Sequence, residues 1–225
     1  AGVEAANLLS RCGVEVHLFE MRPVRMTPAH TTDQLAELVC SNSLKGTDPL
    51  TAHGLLKREL SQLNSLVLQS ALLTRVPAGK ALAVDREAFA ARITAEICAQ
   101  ARIHLVRREV TRIDLSVPTI IATGPLTSDA LAGAIAEITG QKGLSFYDAI
   151  APIVDSQSID YDKAFFGSRW APDDTDYLNC PLDRDEYSTF VKALLAADTV
   201  TPHAFEDARF FEGCLPIEIM AARGP

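Results

Sequence analysis

Residues 1–22, A-G-V-E-A-A-N-L-L-S-R-C-G-V-E-V-H-L-F-E-M-R, constrain the fold more than any other stretch. They read as a helix that turns directly into a short strand. The helix begins at Gly2, carries the small residues Ala5 and Ala6 on the side expected to lie against a sheet, and completes its apolar face with Leu8 and Leu9. Gly13 ends it, and the apolar run of Val14, Val16, Leu18 and Phe19 stops on an acid, Glu20. This is the order of the second half of a dinucleotide-binding βαβ unit. In such a unit an acid about 20 residues past the glycine turn takes the ribose hydroxyls, and the helix N-terminus faces the pyrophosphate. Gly2 then stands as the last glycine of G-x-G-x-x-G, where the missing side chain lets helix and strand pack closely. The two earlier glycines are not in the sequence, so an ordinary helix–strand pair remains the alternative.

The chain opens in mid-motif and closes on A-A-R-G-P without a final element, which leads us to expect a fragment of a longer protein. Its 225 residues suffice for a sizeable core in one large domain or two ordinary ones. With 48% hydrophobic and 22% charged residues the composition is that of a globular protein, without an apolar run of the roughly 20 residues a membrane span needs. The first residues already read as fold, so no signal peptide is expected. Five scattered cysteines without a C-x-x-C pair argue against a zinc site or a disulfide framework, and point to a reducing cytoplasm. A net charge of −8 argues against a dedicated nucleic-acid module. The cluster Arg102, Arg107, Arg108 and Arg112 reads as solvated charge or as a local anion contact.

Beyond Glu20, two prolines and an absence of periodicity mark a loop, in which Arg22 and Arg25 meet either phosphate or solvent. Cys40-Ser41-Asn42-Ser43 reads as a polar turn or as a set of ligand donors around a semi-exposed thiol. An amphipathic helix is expected over His53–Leu63, with Leu55, Leu56, Leu60 and Leu63 inward, and Leu66–Leu73 is either helix or strand. Ala81–Val84 reads as a strand and Asp85 as the N-cap of a helix reaching about Gln100. Ile103–Val106 and Val110–Ile113 suggest a small antiparallel hairpin or meander, and Val117–Gly124 a buried parallel strand closing on Ala-Thr-Gly. Ser128 or Asp129 caps a further helix that Gly140 ends. Past Gly143 aromatics, aspartates and prolines increase. Strands are expected over Leu144–Tyr147, Ile150–Val154 and Ala164–Arg169, with a helix near Asp185–Ala197. Cys214, after a glycine and flanked by Glu212 and Glu218, lies on a turn, exposed, or is a buried structural cysteine.

The stretches F-E-M-R-P (19–23), T-P-A-H-T-T-D (27–33), E-L-V-C-S-N-S-L (37–44) and R-V-P-A-G (75–79) carry a family pattern. So do A-L-A-V-D-R-E (81–87), P-T-I-I-A-T-G-P-L-T-S-D-A-L (118–131), Y-D-A-I-A-P-I-V-D (147–155), Y-L-N-C-P (177–181) and F-F-E-G-C-L-P-I-E (210–218). Across these the chain resembles the bacterial folate- and flavin-dependent tRNA (uracil-5-)-methyltransferases, relatives of the GidA flavoproteins. The resemblance implies an α/β fold: an incomplete Rossmann-type FAD-binding domain over 1–146, followed from 147 to 225 by the start of an α+β insertion domain. It implies FAD, NAD(P)H as reductant, 5,10-methylenetetrahydrofolate as one-carbon donor and the T loop of tRNA as substrate, with neither metal nor membrane. The product would be a methyl group on carbon 5 of a uridine.

Thiols suit that chemistry, because carbon 5 of uracil becomes nucleophilic only after a thiolate adds to carbon 6. The resemblance marks Cys214 and Cys40 as functional. Cys214 is the candidate nucleophile and Cys40 an acid, base or protecting group, with the order open. Cys12, Cys98 and Cys180 are expected to pack. For the cofactor the resemblance carries over Gly2, Glu20 and Arg22 to the ribose and pyrophosphate, Val110 to the adenine, and Thr123 and Gly124 to the flavin. Asn42 and Ser43 go to a flavin–folate pocket. The rival enzyme readings are a GidA-like tRNA-modifying flavoprotein and a plain NAD(P)H-dependent flavin oxidoreductase. A non-catalytic nucleotide-binding protein is the rival from another class.

Overall fold

A computed structural model of the chain describes residues 1–124, 126–140, 154–168, 173, 175–199 and 215–224. The chain divides into two compact units, Ala1–Leu144 and Ser145–Pro225. In the first, helix α1 (Gly2–Arg11) leads into strand β1 (Val16–Glu20) through a turn at Gly13, whose φ of 84° lies in the left-handed region open to glycine. Next come β2 (Ser43–Gly46), α2 (Ala52–Gln62), α3 (Leu66–Leu73), β3 (Arg75–Val76), β4 (Ala81–Val84), α4 (Arg86–Cys98), β5 (Ile103–Arg107) and α5 (Asp129–Thr139).

β1 and β5 pair in parallel, from Val16 opposite Ile103 to Glu20 opposite Arg107. The crossover between them contains the second sheet, antiparallel in the order β2-β4-β3. This first unit is therefore mixed α/β. The core gathers Val3 and Ala6 of α1, Leu66, Leu68 and Ala71 of α3, Leu82 and Val84 of β4, and Phe89, Ile93 and Ile97 of α4, with Val16, Leu18 and Leu105 of the parallel pair packed on it. Local signals account for several boundaries. Asp85 caps α4 by accepting from the Ala88 amide at 3.0 Å, Ser128 caps α5, and Gly140 ends α5 with φ 67°.

Other expectations are overturned. Ile103–Val106 is not half of a hairpin with 110–113, which carry no strand; the segment lies parallel to β1, where Ile103 and Leu105 reach the core. Period-2 alternation gives a strand its faces but not its partner. In α1 the buried face is Val3, Ala6 and Asn7, whereas Leu8 is exposed. Asn7 is tolerated there because its Oδ1 accepts from Gln100 Nε2 at 2.8 Å. In α2, Leu55, Leu56 and Leu63 face solvent and Lys57 turns inward, donating to the Gly46 carbonyl at 3.0 Å. Residues 117–124 form no ladder, and Val117, Ile120 and Ile121 are exposed. A buried parallel strand needs a neighbour to pair with, and none of the described residues supplies one. The segment nevertheless passes the start of α1: a Cβ at Gly2 would lie 3.5 Å from that of Ala122. Cys12, Cys98 and Cys180 are exposed rather than packed.

In the second unit a short 3-10 turn (Ser156–Ser158) precedes the antiparallel pair β6 (Phe165–Phe166) and β7 (Leu178–Asn179), then α6 (Arg184–Ala196) and α7 (Ile217–Ala222). Asp183 and Glu186 form a reciprocal capping box at the start of α6. The strand expected over 144–147 lies outside the described residues, as does all but Val154 of that over 150–154. The one expected from Ala164 is reduced to β6.

Two contacts generate predictions. The backbone of the Asp48–Pro49 turn lies on Gly54 of α2, so a Cβ there would collide with the Asp48 carbonyl. Gly54→Ala is expected to lower stability by about 1–3 kcal/mol. Gly133→Ala, in the open interior of α5 with nothing within 4 Å, is expected to raise it by about 0.5–1 kcal/mol. Urea unfolding of both variants checks the contrast. In addition, the Glu4 carboxylate on α1 accepts from Ser65 Oγ (2.8 Å) and from the Leu66 and Val67 amides (2.9 and 3.0 Å), capping α3 from a distant helix. Glu4→Gln is expected to cost about 1 kcal/mol in the same measurement, through the lost charge at a helix N-terminus.

Candidate functional site

Helix α1 and strand β1 pack antiparallel across their turn, which brings Gly2 and Glu20 to the same end of the unit. The α1 N-terminus has no side-chain cap: Ala1 precedes it, and its first-turn amides meet no capping oxygen from that residue. Glu20, the last residue of β1, is held by Arg22. Its Oε1 accepts from the Arg22 amide and Nε, both at 3.0 Å, and its Oε2 from Arg22 Nη2 at 3.1 Å.

Arg22 is only 4% exposed, and such a buried cation requires compensation. It obtains a second carboxylate from the loop that follows β1. Arg22 Nη1 donates to Glu37 Oε2 at 2.7 Å and to the Thr32 carbonyl at 3.2 Å. Glu37 is itself fixed: its Oε1 accepts from the Thr31 amide and hydroxyl (2.9 and 3.0 Å) and its Oε2 from those of Thr32 (3.2 and 2.8 Å). Arg107, opposite Glu20 in the ladder, ties the loop to β5 by donating to the Arg22 and Asp33 carbonyls at 3.1 and 2.7 Å. Sequence reasoning assigned Arg22 to ribose or phosphate and passed over Glu37, Thr31 and Thr32. The available signal was an acid, a base and a second acid around a Thr-Thr pair.

Electrostatics follow this geometry. Burial works against ionisation of Glu20, but the Arg22 hydrogen bonds and charge outweigh it, and the carboxyl sits below its ordinary value. Burial likewise opposes ionisation of Glu37, and the Thr31 and Thr32 donors overcome it, again lowering the pKa. His30, whose Nδ1 lies 2.6 Å from the Thr27 hydroxyl, is lowered by burial and then by Arg22.

The remaining candidates are dispersed over the first unit. Asn42 is bound into the antiparallel sheet, its Nδ2 donating to the Val84 carbonyl at 3.0 Å and its own carbonyl accepting from the Val84 amide at 3.0 Å. Ser43 opens β2, and its hydroxyl accepts from the Lys45 amide at 3.2 Å. Cys40 is exposed in the loop just before them, and Arg86 Nη2 reaches its carbonyl at 3.4 Å. Val110 is half-buried beyond β5. Thr123 is exposed, its hydroxyl 2.6 Å from that of Thr127, which donates to the Gly124 carbonyl at 2.7 Å; Gly124 has φ 70°. Cys214 lies outside the described residues. Much of the basic cluster is internally engaged: Arg102 pairs with Glu15 at 2.8 Å, Arg107 holds the loop, and Arg108 lies over the Phe19 ring at 5.2 Å. Among the described residues no three side chains are grouped to hold a metal ion, and no helix is long and apolar enough to cross a membrane.

A helix that turns into one strand of a parallel pair, beside a separate antiparallel sheet, places the first unit among the mixed α/β folds. The chain belongs to the glucose inhibited division protein A family, whose model matches residues 1–225. It is 54% identical over 225 residues to the methylenetetrahydrofolate–tRNA-(uracil-5-)-methyltransferase TrmFO of Moorella thermoacetica, covering 52% of that protein. It is 53% identical over 224 residues to the like-named protein of Aquifex aeolicus and 49% over 224 to that of Lactococcus lactis subsp. cremoris, covering 50% of each. The chain thus spans about half the length of the curated relatives it matches.

The lowered carboxyls set the response to acid. A glutamate whose folded pKa lies below its unfolded value contributes stability in full above about pH 4.3 and loses it as pH falls through the folded value. His30, also lowered, adds a loss of the same sign below about pH 6.5. The urea midpoint is therefore expected to fall from neutral pH downward, most steeply below about pH 4.3. Glu37→Gln is expected to start lower at neutral pH and to show a shallower decline, as urea titrations across that range would reveal.

Proposed function

We propose that the protein is an FAD- and folate-dependent tRNA methyltransferase. In this reading it takes a one-carbon unit from 5,10-methylenetetrahydrofolate, places it on carbon 5 of a T-loop uridine and completes it as a methyl group, with NAD(P)H as reductant. The observation that carries this reading is identity at 54% across all 225 residues to a protein bearing that name. The first unit is read as part of a Rossmann-type FAD domain, and residues from 147 on as the start of an insertion domain.

The residues present fit the cofactor. First-turn amides of α1 without a side-chain cap suit a pyrophosphate, and the ionised Glu20 suits ribose hydroxyls. Arg22 serves this end of the site by orienting Glu20. Thr123 and Gly124 are assigned to the flavin side and Val110 to the adenine. Asn42 and Ser43 belong to the folate side, where Asn42 has its Oδ1 left to offer because its Nδ2 is spent on Val84. Bound FAD would supply the hydride that converts methylene to methyl.

Cys214 is assigned as the nucleophile. Its thiolate adds to carbon 6 of the uracil, and the electron pair displaced along the ring makes carbon 5 nucleophilic toward the one-carbon unit. A base then removes the carbon 5 proton, and the thiolate leaves as the ring double bond re-forms. Cys40, exposed ahead of β2, is assigned as the assisting acid or base.

The test uses the polypeptide as its gene encodes it, incubated with FAD, NADPH, labelled methylenetetrahydrofolate and an unmodified tRNA transcript. Label is expected in the T-loop uridine for wild type and absent for Cys214→Ala. Label retained by Cys214→Ala would remove that residue as nucleophile. Bound, reducible flavin with no label in wild type would favour a flavoprotein of different activity.

A further inference from the structure

The chain of contacts that ends on Glu20 begins outside the strand that carries it. A terminal carboxylate rotor is ordinarily broad, so a glutamate at a strand end samples many orientations. Here both oxygens are engaged by Arg22, Oε1 by two donors and Oε2 by one, which leaves Oε2 with more room to accept a further hydrogen bond. Arg22 in turn is oriented by Glu37, and Glu37 by the amides and hydroxyls of Thr31 and Thr32.

We propose that Glu37 is a positioning residue for nucleotide recognition, presetting Glu20 Oε2 toward a ribose hydroxyl through Arg22. The inference rests on the reading of Glu20 as the ribose acid. Glu37 itself meets no ligand. Its part is to fix the guanidinium before the nucleotide arrives, so that less orientational freedom remains to be lost on binding. Gln cannot replace it. A Gln has one acceptor oxygen where Glu37 uses two, and its NH2 would face either the Thr donors or the Arg22 guanidinium.

The experiment compares two probes on the full-length protein freed of flavin: ADP and 2′,3′-dideoxy-ADP, each titrated by calorimetry. The ratio of their affinities isolates the hydroxyl contact, because a general weakening of the fold moves both alike. Wild type is expected to favour ADP by roughly tenfold, the size of one charge-assisted hydrogen bond. Glu20→Gln is expected to bring the ratio close to one. Glu37→Gln should reduce it at least threefold while the dideoxy probe binds nearly as in wild type, and the double variant should match Glu20→Gln alone.

A Glu37→Gln protein that loses affinity for both probes equally, keeping the wild-type ratio, overturns the positioning role and leaves Glu20 as the ribose acid. A wild type that does not distinguish the probes overturns the assignment of Glu20, and the proposal with it. Should Glu37→Gln fail to fold, Thr32→Val removes one hydroxyl donor to Glu37 at nearly constant volume. It is expected to lower the ratio about twofold, and an unchanged ratio there overturns the proposal.

Discussion

A guanidinium with 4% exposure at the end of a β-strand imposes conditions on everything around it. Arg22 carries a full charge out of water, and only paired carboxylates with further hydrogen bonds make that tolerable. Two acids supply the pairing, one from β1 and one from the loop beyond it. Together they over-neutralise the cation, and the excess negative charge is met by the amides and hydroxyls of Thr31 and Thr32. The path of the loop from 22 to 37 is thus the path that satisfies one buried charge. The same knot sets the end of β5, since Arg107 reaches across to carbonyls on both sides of it.

That knot also links parts of the unit with different proposed tasks. Glu37 shares its loop with Cys40, and Asn42 and Ser43 follow into β2, where Asn42 is locked to β4 at Val84. Leu35, between the Thr pair and Glu37, is buried, and its amide donates to Thr94 Oγ1 of α4 at 2.8 Å. The segment is therefore anchored to the strand end, the core helix and the antiparallel sheet in turn. An exposed cysteine on a segment so tied is held at a defined place.

What could be read in the sequence divides along the range of the forces involved. Caps and stops were legible because they act within a turn: Asp85, Ser128, Gly13 and Gly140 all do what their residue types favour. The ends and types of α2, α4 and β4 followed from composition and periodicity. Faces and partners did not. The leucines of α2 describe an apolar stripe, but the close approach of the Asp48–Pro49 turn to Gly54 decides which side is covered. Alternation in 103–106 marked a strand, while its parallel pairing with β1 depends on a crossover that no local window contains. The end of β1 at Glu20 was legible from its place after the helix. Glu37 was not, because it sits in an aperiodic loop and its significance comes from a partner that becomes buried only in the folded chain.

The cap that Glu4 places on α3 bears on the order in which the molecule assembles. α3 has eight residues, short of the roughly 12–15 at which a helix holds its own in water. Ser65 provides one local acceptor, to the Leu68 amide. The Leu66 and Val67 amides find theirs on α1, more than sixty residues earlier in the chain. A helix so short, with part of its first turn completed by a remote carboxylate, does not ripen as an independent unit. It becomes persistent when α1 docks, so the two form one cooperative folding unit. The chain that joins them, with β1, the loop held by Arg22 and the outer sheet strand β2, is gathered in by that same closure.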